Sequence, residues 1–295
     1  MATNSAPLRP VTDDEIATFW RDGVVCLRDI LPVDAVLAMA GPIDAMLATD
    51  EAADLSAMAD ALESGAGATR LTDPSVGADG TPRGRFVAGT DHWCVRPEFE
   101  QWAVDSAVPA IVAQLLESEH VWLYEDSVLV KEPGSQERTG FHVDMAYFHL
   151  DGDRVCTTWT PLDEVDASTG AVRFVVGSHR DHTDYRPNMF VADMQLPGTD
   201  GADVPDFDAV GESIGDARII SFDTRPGDLT VHHARTIHGA GGNASATRRR
   251  RAISVRYAGD GVVFRRRPGA PEKPHHAGLV DGDPLAPPAF PLAHG

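Results

Sequence analysis

The order of local patterns along this chain constrains its fold more than any single residue does. Helical signals come first and short strand signals follow, with little mixing. From residue 121 onward the sequence breaks into β-branched and aromatic stretches, Val121–Val130, Gly140–Phe148, Arg154–Thr160 and Ala171–Val176, separated by Gly, Pro and Asp. Strand signals resume at Arg218–Phe222, Asp228–His233 and Arg249–Tyr257, after a long connection from Gly177 to Asp216 that has little regular pattern. Helices followed by many short strands predict a mainly β fold in which flanking helices pack on an antiparallel double sheet. A jelly roll protects its strand edges in this way and leaves an open mouth between its sheets.

Upstream, Thr12-Asp13-Asp14-Glu15 is a capping box that opens a helix through Trp20, with Gly23 ending it and Val24–Leu27 reading as a strand. A second helical pattern runs from Pro32 to Leu47 and is expected to kink or break where Gly41 precedes Pro42. Residues 49–91 turn from Ala- and acid-rich to Gly-, Thr- and Pro-rich, which predicts an irregular segment and a candidate lid. Another helix starts at Pro97 and reaches Leu116, interrupted near Pro109, and the tail after Arg267 is Pro-, Gly- and His-rich with no regular pattern. A single domain over 1–295 is expected, with helices over about 12–117, a β core over about 120–265 and an irregular tail over about 268–295.

The chemistry concentrates at Gly140-Phe141-His142-Val143-Asp144. Residues two apart in extended chain share a face, so His142 and Asp144 project side by side. An imidazole and a carboxylate so placed are two thirds of the 2-His-1-carboxylate facial triad, a non-haem iron arrangement with open coordination positions. The third ligand has to arrive from a distant strand. His149, His179, His182, His232, His233, His238, His275, His276 and His294 are the downstream candidates. His238 sits at a strand end beside a Gly-rich turn, where a cavity could be approached. His232 and His233 point to opposite faces, so at most one of them shares that cavity.

These residues resemble the phytanoyl-CoA dioxygenase family. The likeness is carried by Gly140-Phe141-His142-Val143-Asp144, by Thr158-Trp159-Thr160-Pro161-Leu162-Asp163, and by Gly170 with Val176-Gly177-Ser178-His179. It continues through Gly227-Asp228, His238-Gly239, Asn243-Ala244-Ser245 and Arg250-Arg251-Ala252-Ile253-Ser254, and covers about Thr12 to Tyr257. The resemblance implies a double-stranded β-helix, that is, a jelly-roll or cupin-like core, that binds Fe(II) and uses 2-oxoglutarate and O2. It implies His142, Asp144 and His238 as iron ligands and catalytic centre, with an arginine on the following strand for the 2-oxoglutarate carboxylate, a pairing that suits a planar guanidinium. Alignment on Ala252-Ile253-Ser254 selects Arg250, whereas counting from the distal histidine selects Arg249. Loops absorb insertions more easily than strands, which favours Arg250. Trp159 falls where the family places an aromatic of the cofactor pocket, and Ser127 and Lys131 are further pocket candidates. A carboxylate at Asp144 argues against halogenation, because related halogenases carry a small residue there.

Composition narrows the partners. The net charge of −20 disfavours nucleic acid and anionic membranes, despite the basic islands Arg248–Arg251 and Arg265–Arg267. No apolar run approaches membrane-spanning length, the start of the chain lacks a signal-peptide pattern, and three scattered cysteines suggest no disulfide framework, so a cytoplasmic protein is expected. The expected partner is a small-molecule substrate, a secondary metabolite that is hydroxylated or otherwise tailored; the oligomeric state is left open. Arg70, Arg83, Arg85, His92 and Trp93 in loop 64–96, together with the 178–216 connection, are expected to frame the mouth and to suit an anionic or hydroxylated substrate. Two other readings stay open at this stage. One is a cupin-like metalloenzyme that does not use 2-oxoglutarate, and the other is a non-catalytic barrel that binds a small ligand.

Overall fold

The computed structural model describes residues 6–77, 80, 82–208 and 218–295; the end of the long connection expected to reach Asp216 lies outside them. The N-terminal part holds helices α1 (Asp13–Asp22), α2 (Val33–Ala38), α3 (Ala40–Leu47), α4 (Leu55–Gly65), α5 (Pro97–Asp105) and α6 (Val108–Leu116). Strands β1 (Val24–Leu27), β2 (Ala53–Asp54) and β3 (Phe86–Thr90) are interleaved with them. Strands β4 (Val121–Lys131), β5 (Thr139–His142), β6 (Leu150–Asp151), β7 (Val155–Pro161) and β8 (Val172–Val175) follow. The chain then adds β9 (Ile219–Ser221), β10 (Leu229–His233), β11 (His238–Ala240), β12 (Arg250–Ala258), β13 (Val263–Phe264) and β14 (Leu292–His294).

The result is a mixed α/β fold built on two main antiparallel sheets. The larger runs β1-β10-β7-β12-β4-β3-β2, with β14 added on β4, and the smaller runs β5-β11-β8-β9. Period-two burial decides what each face of the larger sheet does. On β12, Ile253, Val255 and Tyr257 join Val128, Val130, Cys156 and Val231 in an apolar layer against Phe19, Ile43, Phe99, Ile111 and Leu115 of the helices. The alternate residues, Arg250, Ser254 and Arg256 of β12 with Thr157 and Trp159 of β7, line a cavity whose other wall carries His142, Phe174 and His238 of the smaller sheet. The cavity therefore lies between the two sheets.

The capping box is present in full: Thr12 accepts from the Glu15 amide, Glu15 accepts from the Thr12 amide, and Gly23 closes the helix in the left-handed region at φ 80. Other expectations need correction. The Pro32–Leu47 pattern breaks at Met39, ahead of Gly41-Pro42, which leaves Pro42 in the first turn of α3. First-turn amides have no intrahelical partner, so a proline costs nothing there. Residues 49–91 are not irregular throughout. Asp54 caps α4 by accepting from the amides of Ser56 and Ala57, and β3 pairs with β4 over five residues. The stretch read as a strand over Gly140–Phe148 stops at His142 and winds into a 3-10 turn over Asp144–Tyr147. The tail is also structured: β14 pairs with Trp122 and Val121 of β4, and Leu285, Ala289 and Phe290 are buried with Tyr124, Phe148 and Phe264.

Candidate metal centre and cofactor pocket

His142 ends β5 and His238 begins β11, and the two are paired directly across the smaller sheet. Val143 is extended at φ −118, ψ 133, so Asp144 returns to the side of His142 although it opens a turn and is not in the strand. Potential ligand atoms of His142, Asp144 and His238 all lie within 4.8 Å of one another, and all three residues are buried. The imidazoles are pre-oriented. Nδ1 of His142 bonds the Gly140 carbonyl at 2.8 Å, and Nδ1 of His238 bonds the Thr236 carbonyl at 2.9 Å. A carbonyl only accepts, so each Nδ1 carries a hydrogen and Nε2 is the ring atom turned toward the metal position. Those Nε2 atoms stand 3.5 and 3.7 Å from Asp144 Oδ1. Burial opposes ionisation of Asp144, yet the surrounding His238, His142 and His232 hold its carboxyl well below the usual range. Burial pushes His238 well below an ordinary histidine, with Asp144 opposing the shift.

This donor set fits a borderline divalent metal such as iron: two imidazoles and one carboxylate converge, and the outer nitrogens of the imidazoles are tied to the backbone. Arg250 completes the pocket. It is 2% exposed, its Nε has no hydrogen-bond partner, and no ion pair is found for it among the described residues. Its guanidinium lies 5.6 Å from the centre of the Trp159 ring. Burial lowers its pKa to about 10, so it stays cationic at neutral pH. An unpaired buried cation beside a metal site calls for an anion, and a guanidinium fork suits a carboxylate.

The other expected residues are placed as follows. Arg249 faces away from the cavity and pairs with Glu132 at 2.5 Å and Asp44 at 2.9 Å. Trp159 lines the inner cavity, of about 50 Å³. Ser127 lines an outer chamber of about 510 Å³ and accepts from Arg256. Lys131 is buried over Phe86 and donates to the carbonyls of Glu137 and Gly241, a backbone fastener away from both cavities. Of the adjacent histidines, His232 faces the cavity, while His233 packs on Phe19, Trp20 and His179. Sequence reasoning did not single out Thr157 or Arg256 for the site, and it carried His232 only as one of several candidate third ligands. Arg256 was within reach, being in phase with Arg250 on one strand.

The two cavities meet at Leu129, Asp144, Phe190 and Arg256. Asn188, Met189, Phe190 and Leu196 of the long connection do wall the outer chamber, as do Ala88–Asp91. Arg70, Arg83, Arg85, His92 and Trp93 do not line it. Arg70 and Arg83 pair with Asp60 and Glu137, Arg85 lies 3.9 Å from Asp54, and His92 and Trp93 pack on Phe99 and His275. The tail supplies Lys273, which bridges Asp91 at 2.6 Å and Glu125 at 2.5 Å on the chamber wall.

Residues 19–252 match the phytanoyl-CoA dioxygenase (PhyH) family along most of the chain. The chain belongs to that family. A curated relative from Stutzerimonas stutzeri, a probable α-ketoglutarate-dependent hypophosphite dioxygenase, is 31% identical over 145 residues. That match spans 48% of this chain and 46% of the relative, less than half the length of each. Among solved structures, the non-haem α-ketoglutarate-dependent carbocyclase SnoK from nogalamycin biosynthesis aligns with a TM-score of 0.67 at 21% identity, covering 98% of this chain and 99% of its own. The epimerase SnoN of the same biosynthesis gives 0.64 at 22% identity over 96% and 98%. EctD from S. alaskensis, solved with 2-oxoglutarate and 5-hydroxyectoine, gives 0.64 at 21% identity over 96% and 88%. At these identities the likeness is one of fold.

Proposed function

We propose that this family member is an Fe(II)- and 2-oxoglutarate-dependent oxygenase that hydroxylates, or otherwise oxidatively tailors, an organic small molecule with release of succinate and CO2. The observation that carries the reading is the unpaired, buried Arg250 in the same cavity as His142, Asp144 and His238. The named activities of the relatives, all α-ketoglutarate-dependent, support it. The two antiparallel sheets enclosing one cavity support a double-stranded β-helix core. Helices that share an apolar layer with the larger sheet, and a tail strand paired to it, support a single oxygenase domain. No described helix is long and apolar enough to cross a membrane, and all three cysteines are unpaired, in keeping with a reducing cytoplasm.

In this mechanism the chain's residues bind, orient and exclude. His142, Asp144 and His238 would hold the metal. Arg250 takes the distal carboxylate of 2-oxoglutarate, with Trp159 beside its guanidinium. Iron with this cosubstrate and O2 supplies the oxidising power to break a C–H bond. Phe190 and Leu129 line both cavities together with Asp144 and Arg256, where cosubstrate and substrate would meet.

The outer chamber supports an organic substrate far larger than hypophosphite, since about 510 Å³ is the size of an ordinary ligand pocket. Leu55, Met58, Ala88, Met189, Phe190 and Leu196 form an apolar wall. The cations lining the chamber are already compensated, Lys273 by Asp91 and Glu125 and Arg256 by Glu125. That arrangement favours a neutral amphiphile over an anion such as an acyl-CoA.

Anaerobic addition of Fe(II) and 2-oxoglutarate to the apo-protein tests the assignment. The expected result is a weak visible charge-transfer band, lost in His142→Ala and weakened in Arg250→Ala. Iron binding without a band would remove 2-oxoglutarate from the reading, and absence of iron binding would remove the metal.

A further inference from the structure

His232 stands against the three candidate ligands without being one of them. It is directly paired with Thr157 across β10 and β7, and both side chains enter the cavity from the larger sheet. They converge on one atom. Thr157 Oγ1 donates to Asp144 Oδ2 at 2.5 Å, and His232 Nε2 lies 3.1 Å from that same oxygen. The other oxygen, Oδ1, is the one that faces Nε2 of His142 and His238. A carboxylate oxygen only accepts, so His232 carries its hydrogen on Nε2; its buried Nδ1 has no partner. The ring is fixed between Phe174 at 5.3 Å and His238 at 4.2 Å.

We infer that His232 is a positioning residue that, together with Thr157, ties Asp144 Oδ2 to the larger sheet and so makes Asp144 a single-oxygen ligand. A carboxylate free to rotate can offer a metal both oxygens and fill one more coordination position. Chelation by 2-oxoglutarate takes two positions and O2 a third, so a bidentate Asp144 would leave too few. The two donors on Oδ2 prevent this, and they join the larger sheet, which carries Arg250, to the smaller sheet, which carries both ligand histidines. The inference rests on the iron-binding reading given above.

The test uses Co(II), whose absorption reports coordination number, titrated anaerobically into the full-length apo-protein without cosubstrate. His232→Phe is expected to weaken Co(II) binding about 10–100-fold, the usual effect of removing a partner of a metal ligand, and to shift the spectrum toward a higher coordination number. His232→Gln, which keeps an N–H donor, is expected to restore much of the affinity and the wild-type spectrum. Thr157→Val, close to isosteric, should move both readouts in the same direction by less. Wild-type affinity and spectrum in His232→Phe would overturn the inference. So would a loss of binding as complete as in His142→Ala, which would make His232 a ligand. If His232→Phe fails to fold by circular dichroism, Thr157→Val decides, and an unchanged spectrum there overturns it. Failure of the wild type to bind Co(II) at all would be a different result, removing the metal site and the inference with it.

Discussion

Arg250 and its neighbours Arg249 and Arg251 are consecutive in the chain and have opposite fates. Arg249 and Arg251 face the helix side of β12 and meet carboxylates: Glu132 and Asp44 for the first, Asp163 at 2.8 Å and Asp44 at 3.5 Å for the second. Hydrogen bonding to Glu132 and Asp163 respectively raises the pKa of each. Arg250 faces the cavity, is buried, and meets no carboxylate among the described residues, so burial lowers its pKa. One face of the strand uses arginine for stability, and the other holds a buried charge at a cost to stability that a bound anion would offset. The contrast teaches that an unpaired buried charge is better evidence of function than any number of paired surface ones.

The sharpest way to break this comparison is Arg250→Met. Losing one partner of a buried charged pair costs about 2–5 kcal/mol, so 2-oxoglutarate affinity should fall by roughly 30-fold to several thousandfold in an anaerobic titration. The same substitution removes an unsatisfied charge, so the apo-protein should unfold at the same urea concentration as wild type or a higher one. A less stable apo-protein would mean that Arg250 has a structural partner. The converse effect is next in size. In the presence of metal, 2-oxoglutarate at about 100 times its Kd should stabilise wild type by about 2.7 kcal/mol in a thermal melt, and should leave Arg250→Met at that concentration nearly unshifted.

Arg251→Met should do the reverse of Arg250→Met, lowering stability by about 1–2 kcal/mol in urea while 2-oxoglutarate affinity stays within about twofold. The pH dependence sharpens the contrast further. Arg250 has a folded pKa lowered to about 10, below its unfolded value, so it gives up its proton in the folded state first. Cosubstrate affinity should be flat between pH 7 and 9 and decline as pH rises through about 10. Over the same rise the apo-protein should lose the penalty that this residue imposes. Arg249→Met is expected to have the smallest effect, within about 1 kcal/mol in stability and none on cosubstrate binding, because its partners are partly exposed.

Much of the fold was legible because its signals are local. The Thr12–Glu15 box and Gly23 bound α1, and the β-branched runs from Val121 onward became strands. Helix α4 was also legible and was passed over: Asp54 is a strong cap, and Leu55, Met58, Ala59 and Leu62 recur at helical spacing, but the Ala- and acid-rich composition drew the reading toward irregular chain. The tail gave no such signal. Leu285, Ala289 and Phe290 have no strand or helix period and are buried only because Tyr124, Phe148 and Phe264 present an apolar surface to them.

The sequence by itself determined which residues share a face. Alternation put Arg250 in phase with Ser254 and Arg256 and put His232 opposite to His233, while His-x-Asp spacing offered two ligands and only the family resemblance chose His238 as the third. Only the tertiary structure decided which arginine is left without a carboxylate, since Asp44, Glu132 and Asp163 reach β12 from three separate places in the chain. Nor does any local pattern place Thr157 and His232 on the same oxygen of Asp144. The reason is physical: facing is fixed by backbone geometry over two or three residues, whereas pairing and desolvation depend on groups that meet only when the sheets pack.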